Sequence, residues 1–252
     1  MPIRARLGFF AGVRALFGGL GFVVTTPSAW GWAMIPVAVA SILFGGAAAL
    51  AIWGGSELAQ HLIGAGGAAE AAAATTWTTI GVWALRVLFW AIGLVVAFVV
   101  AMSLAQPLSG FALEAISRKQ ELALGGVVHP DQPFVAGAVR SLRVTLTALV
   151  IGLPILGVLA LITVLVPPAG IVTVPLKFIV TGVLVAYDLL DYPLSLRGQS
   201  VGDRIVWIRR NFPAVLGFGV SAAALLLIPG MGLLLLPFGV AGATRMVVMD
   251  RS

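Results

Sequence analysis

Few side chains in this sequence can do chemistry, and their spacing suits the handling of ions better than catalysis. Asp188 and Asp191 stand three residues apart on one helical face, flanked by Tyr187 and Tyr192. Such a carboxylate pair either takes up a proton and repels anions, or sits at a helix end bonded to backbone and arginine partners, which is the reading adopted here. Arg204, Arg209 and Arg210 offer guanidiniums that either draw anions into a vestibule or anchor one face of the protein to its side of a membrane. Lys177 lies in an apolar stretch, where a lysine either faces a cavity or snorkels, and Arg86 reads as a snorkelling residue. Glu114 precedes Arg118 by four residues, the spacing of a helical ion pair. No serine–histidine–acid set, phosphate-cradling loop or catalytic carboxylate pair stands in a plausible context, so no enzyme activity is expected. His61 and His129 are 68 positions apart and cysteine is absent. These facts leave no local metal motif, disulfide scaffold or thiol nucleophile, and neither metal nor cofactor is expected.

The elements that must position these groups follow from composition. Of 252 residues 60% are apolar and 10% charged, against about 25% charged in an ordinary soluble domain, and the mean hydropathy is +1.11. So few charges cannot cover a soluble surface of this size, and the chain reads as an integral membrane protein. Its net charge of +6 does not point to nucleic acid, because the basic residues are dispersed between long apolar runs, as the positive-inside rule produces.

No secretory signal is evident at the N-terminus. Phe9, Val13, Leu16, Phe17, Leu20 and Val23 recur at helical spacing, with Arg6 and Arg14 off that stripe, so residues 1–26 predict an amphipathic helix in the membrane interface. Residues 33–53 carry no charge and cover about 31 Å as a helix, enough to cross. Trp30, Trp32 and Trp53 would mark the two interfaces. Residues 54–81 contain Glu57, His61 and Glu70 but no basic residue, as in an external loop. A second span is expected over 82–104, ended by Gln106-Pro107-Leu108-Ser109-Gly110. Four basic residues in 106–143 and four in 191–212 put both stretches in the cytoplasm.

An internal repeat follows. Leu165-Val166-Pro167-Pro168-Ala169-Gly170 leads to Pro175, and Leu227-Ile228-Pro229-Gly230-Met231-Gly232 leads to Pro237, offset by 62 residues. Proline removes a donor and glycine permits a tight turn, so Pro167, Gly170, Pro229, Gly230 and Gly232 are the predicted turn residues of two helical hairpins, 144–190 and 213–247. The arms 213–228 and 233–247 come to about 24 and 22 Å, short of about 30 Å of hydrocarbon. The fold expected is all-α and membrane-integral, in one domain. It has an interfacial helix, two long transmembrane helices and two hairpins that penetrate part of the bilayer, with ordinary turns between short spans as the alternative.

The run Leu104-Ala105-Gln106-Pro107-Leu108-Ser109-Gly110 followed by Glu114 carries a family resemblance. So do Asp191-Tyr192-Pro193, Arg204 through Arg209-Arg210, Phe218-Gly219, Ile228-Pro229, Pro237 and Val240-Ala241-Gly242-Ala243-Thr244. Together they resemble the CysZ sulfate permease family, part of the larger etoposide-induced group of membrane proteins. The resemblance implies two long spans with partly penetrating hairpins and assembly as a homodimer or larger oligomer. It also implies sulfate uptake for cysteine synthesis across a bacterial inner membrane, with lipid and a small inorganic anion as partners. Between Pro27 and Pro36 the family carries an arginine-bearing loop associated with sulfate; here the stretch is Ser28-Ala29-Trp30-Gly31. Backbone donors at a helix start, with Ser28 as cap, can hold an anion, but losing guanidinium contacts removes about 1.5–3 kcal/mol per bond. The expected function is therefore a permease for a small anion, most concretely sulfate, with a non-transporting structural or regulatory membrane protein as the alternative. Ser28, Ala29, Trp30, Gly31, Arg204, Arg209 and Arg210 are the candidate binding residues.

Overall fold

In the computed structural model, residues 6–63, 76–127, 134–228 and 230–250 are described; Glu70, His129 and Pro229 lie outside them, as do residues 1–5 of the expected interfacial helix. Among the described residues the regular structure is helical, with no strand. In order it comprises α1 (Phe9–Thr25), α2 (Pro27–Ile63), α3 (Thr76–Leu108), α4 (Gly110–Ala123), α5 (Phe134–Leu165), a 3₁₀ turn (Pro167–Ala169), α6 (Gly170–Leu196), α7 (Val201–Arg210), α8 (Phe212–Leu226) and α9 (Met231–Met249).

The chain forms two compact units, one of residues 1–36 and 107–252, the other of residues 37–106. In the first, α9 is the central helix: α1, α4, α6 and α8 all pack against it, and α1 and α6 also pack against α8. Its core includes Leu16, Leu113, Ile116, Leu189, Leu190, Val215, Phe218, Val240 and Met246, all fully buried or nearly so. In lipid the hydrophobic effect cannot drive helices together, so close backbone contact across small residues must. Two glycine pairs provide it here. Gly19 of α1 lies against Gly242 of α9, and Gly182 of α6 faces Gly219 of α8 so closely that a Cβ on Gly182 would stand 2.7 Å from the Gly219 carbonyl oxygen.

This packing changes the reading of α1. Its buried residues are Gly12, Ala15, Leu16, Gly19 and Val23, whereas Phe17 of the expected stripe is 50% exposed. Leu16 and Val23 of the stripe are buried as expected, but Gly12, Ala15 and Gly19 share the contact face with them, while Phe17 lies outside it.

In the second unit α2 and α3 pair as a hairpin. Phe44 meets Phe98 edge-on at 6.2 Å, and the Trp90 indole donates to Ile52 O at 3.0 Å and Ser56 Oγ at 3.1 Å. The Arg86 guanidinium lies 5.2 Å from the Trp83 ring centre, a cation–π contact.

The element lengths correct several expectations. α2 has 37 residues and α3 has 33, so the helices outrun the expected spans 33–53 and 82–104 at both ends. Pro36 lies inside α2, α3 ends at Leu108 within the expected 106–110 terminator, and much of the expected external loop is helical. Among the described residues five helices are by length and composition able to cross a membrane: α2, α3, α5, α6 and α9. The arm expected at 233–247 is a 19-residue helix, about 28 Å long. α1, with 17 residues, and α8, with 15, are the shorter apolar helices, and α8, at about 22 Å, is too short to cross as a helix.

The two repeat turns are built differently. In the first, Pro167 opens the 3₁₀ turn and Gly170 enters α6 with right-handed geometry. In the second, Gly230 turns the chain with φ +81°, in the left-handed region that favours glycine. Met231 N donates to Ile228 O at 3.1 Å, and Gly232 falls in the first turn of α9.

Candidate functional site

Among the described residues of the first unit, buried charges meet where α6 ends and α7 begins. α6 closes with Gly198 at φ +66°. Gln199 N bonds Leu194 O at 3.2 Å and Gly198 N bonds Ser195 O at 2.8 Å, a Schellman closure. The Pro193 carbonyl is taken by the Arg197 guanidinium at 2.7 Å, a cation placed favourably at a helix C-terminus. Two residues later Ser200 starts α7 through a reciprocal capping box with Asp203. The hydroxyl and backbone N–H of Ser200 both donate to Asp203, which holds its carboxyl below the ordinary value of 3.8.

This turn brings Arg204 of α7 back onto α6. Its Nη1 donates to Asp191 Oδ1, Nη2 donates to Ser195 Oγ at 2.8 Å, and Nε donates to Gln199 O at 3.3 Å. Ser195 Oγ in turn donates to Asp191 Oδ1 at 2.8 Å. Asp191, Ser195 and Arg204 are all at most 5% exposed. One helical turn above the cap, the guanidinium is therefore held by a carboxylate, a hydroxyl and a carbonyl at once.

A second pair lies close by in sequence on the same helix end. Arg197 Nη2 donates to Glu121 Oε1 of α4 at 2.6 Å, with both side chains 2% exposed. α4 presents further polar groups inward: Gln120 is 1% exposed, Ser117 Oγ and Thr244 Oγ1 of α9 are 2.7 Å apart, and Glu114 pairs with Arg118 at 3.8 Å. Trp32, at the start of α2, meets Phe111 of α4 edge-on at 6.4 Å. Ionisable groups buried in a membrane protein are costly and mark ion pathways, relays or fixed structural pairs.

The candidate residues divide between two places. Ser28, Ala29, Trp30 and Gly31 occupy the first turns of α2. Ser28 stands inside the helix rather than before it, since Ala29 N already bonds Thr26 O at 2.9 Å; Thr26, not Ser28, holds the cap position. Ala29 is fully buried and Trp30 is 53% exposed, its indole donating to Val23 O at 2.8 Å. Arg204, Arg209 and Arg210 share α7 but not a role. Arg204 is buried, while Arg209 and Arg210 are exposed and Arg210 approaches Asp250 at 3.8 Å. The bonds that hold Trp30 and those that hold Arg204 have no member in common. The ion pair between Arg197 and Glu121 was not legible beforehand: 76 positions separate its members, and no local spacing links them.

Residues 15–237 match the family described as Sulfate transporter CysZ/Etoposide-induced protein 2.4. The chain belongs to this family. A protein named Sulfate transporter CysZ from Pseudomonas syringae pv. tomato is 31% identical over 184 residues, covering 69% of this chain and 70% of that one. Its namesake from Pseudomonas paraeruginosa is 31% identical over 176 residues, 67% of this chain and 69% of the relative. Another from Pseudomonas fluorescens is 33% identical over 87 residues, 34% of this chain and 35% of that relative; this match spans about a third of each protein. These relatives carry the name of a transporter, which is not an enzyme class. With five of its described helices long and apolar enough to cross a bilayer, this family member is a multi-pass membrane protein. The matched segment contains Glu114, Glu121, Asp191, Ser195, Arg197 and Arg204, and stops short of Thr244 and Asp250.

Proposed function

We propose that this protein is a permease for a small inorganic anion, sulfate in the first place, acting as a homo-oligomer in a bacterial inner membrane. The observation that carries the reading is the buried set Asp191, Ser195 and Arg204 in a family whose relatives are named for sulfate transport. A tetrahedral oxyanion offers paired oxygens that match the planar fork of a guanidinium. Asp191 neutralises Arg204, which avoids an uncompensated charge in a low-dielectric site. An arriving sulfate would compete with that carboxylate for the same donors, so binding is an exchange of partners. The exchange keeps the guanidinium paired but costs the buried Asp191 its cation, so the anion is held loosely enough to leave.

A second reading is favoured by one observation. Where the family resemblance calls for arginines, this chain has an exposed Trp30 and Gly31, neither of which carries a charge toward an entering anion. A non-transporting structural or regulatory protein of the same family would have no need of them. Uptake of radiolabelled sulfate into proteoliposomes decides between the two. Transport that exceeds empty liposomes and is competed by selenate but not by chloride supports the permease, and Arg204→Gln should reduce it at least tenfold. Uptake equal to that of empty liposomes refutes the permease and leaves the structural role.

A further inference from the structure

A polar cluster separate from the α4–α6–α7 ion pairs lies between the arms of the first hairpin. Lys177 of α6, half-buried, donates from Nζ to Thr163 Oγ1 of α5 at 3.2 Å. Thr163 Oγ1 lies 2.6 Å from Thr173 Oγ1, and Thr173 is 5% exposed. The two hydroxyls also reach backbone carbonyls, Thr163 that of Leu159 at 2.7 Å and Thr173 that of Ala169 at 3.1 Å. The surroundings are apolar: Val164, Leu165, Ile171 and Val172 are all at least 68% exposed, as lipid-facing residues are. The sequence holds no aspartate or glutamate from Leu122 through Tyr187 except Asp131.

Lys177 is therefore a cation with three donors, one of them used by Thr163. No carboxylate pairs with it among the described residues. It stands seven residues into α6 from Gly170, about 10 Å along the helix from the turn. An ammonium that stays at such a place instead of snorkelling to water has its remaining donors and its charge met by something. Hydroxyl protons rotate freely about the C–O bond, so Thr163 or Thr173 can turn one toward a group beside the ammonium. A point charge flanked by two hydroxyls suits a ligand with several acceptor oxygens and negative charge.

We propose that Lys177, Thr163 and Thr173 form a binding site for a tetrahedral oxyanion, either free sulfate or the phosphate of a lipid headgroup. The assignment concerns binding alone and holds whether or not the protein transports. Sulfate binding to the purified protein in detergent is measured by equilibrium dialysis with labelled sulfate, and retained phospholipid by native mass spectrometry. Both are read for the wild type, Lys177→Met, Lys177→Arg and the double variant Thr163→Val/Thr173→Val, with thermal melting to confirm that each is folded. If free sulfate is the ligand, Lys177→Met removes one bound sulfate per chain or weakens it at least tenfold. Lys177→Arg, which keeps the charge, then stays within threefold of the wild type, and the double threonine variant falls between them. If a lipid phosphate is the ligand, the sulfate isotherm is unchanged and Lys177→Met instead loses co-purifying anionic phospholipid. Equal sulfate binding and equal lipid retention in the wild type and Lys177→Met, including none in either, overturns the proposal.

Discussion

Arg197 donates to Glu121 at 2.6 Å with both side chains 2% exposed, so the C-terminal end of α6 is riveted to α4 by an ion pair that water hardly reaches. The partners are 76 positions apart, and forming the pair fixes α4 against α6 in one register. Removing one partner leaves the other charged and buried, which costs about 3–5 kcal/mol, whereas replacing both with apolar groups of similar volume is often neutral. Glu121→Gln should therefore lower the melting temperature in detergent markedly, while Glu121→Leu/Arg197→Met should recover most of the loss. A single variant that melts like the wild type would show that the pair contributes nothing to the fold.

How far the sequence foretold this arrangement depends on the range of the interaction. Apolar runs announced α2 and α3, because that signal is local. α2 and α3 run past the expected spans because apolar length sets only the minimum a helix needs to cross, whereas α3 does end at Leu108, within the 106–110 run read as its terminator. The contact face of α1 was hidden for a different reason. Hydrophobic periodicity weights Phe17 above Gly12 and Gly19, yet the glycines are what allow α8 and α9 to approach. Of the charged cluster, the Glu114–Arg118 pair, four residues apart, and the suitability of Asp191 for an arginine partner were readable in advance. Which arginine it meets is set by the Gly198 closure and the Ser200 cap, which together turn α7 back onto α6.

The approach of Gly182 to Gly219 makes a second test. A Cβ at residue 182 would stand 2.7 Å from the facing backbone, whereas at Gly157 nothing lies within 4 Å. Gly182→Val forces α6 and α8 apart, and overpacking of this kind costs about 1–3 kcal/mol. It should melt lower than the wild type, and Gly157→Ala should not. Equal melting of both variants would mean that the contact between α6 and α8 is slack.

Asp203 gives a pH signature. Its carboxyl titrates below 3.8 because Ser200 donates to it twice. A carboxylate whose folded value is depressed stabilises the protein fully above its unfolded value, and loses that contribution as pH falls through the folded one. The melting difference between the wild type and Asp203→Ala should thus be constant from neutral pH down to about 5, and shrink as the pH drops below the ordinary aspartate value of about 3.9. A difference that grows on acidification would contradict the capping role.

Orientation can be read with introduced cysteines, since the sequence has none of its own. The four basic residues in 191–212 against none in 54–81 predict that α7 is cytoplasmic and residue 66 external. In intact cells an impermeant thiol reagent should label Gly66→Cys and spare Val201→Cys, whose parent side chain is exposed in the folded protein. Majority labelling at residue 201 would invert the topology, and comparable labelling at both would indicate dual insertion.

The depth of the second turn is the remaining question of topology, and Met231 is the place to ask it. α8 is about 22 Å long, so if it starts at the cytoplasmic face it ends roughly 8 Å short of the far side of a 30 Å hydrocarbon core. α9, with 19 residues, is long enough to cross, and so does not by itself decide where the turn lies. The flanking Leu227 is 74% exposed and Ile228 is 49% exposed, apolar side chains that suit lipid better than water. Backbone groups at a turn inside the bilayer must be met by protein or by a water-filled path. Met231→Cys is therefore expected to react slowly with the impermeant reagent in cells, far below Gly66→Cys. If the turn borders an anion path, a small permeant reagent should modify it readily and sulfate should slow that reaction. Labelling by the impermeant reagent as fast as at residue 66 would place the turn at the outer surface, with α8 tilted or the bilayer thinned around it. Burial with no reaction to either reagent would instead pack the turn against protein and weaken the case for a permeation path through this hairpin.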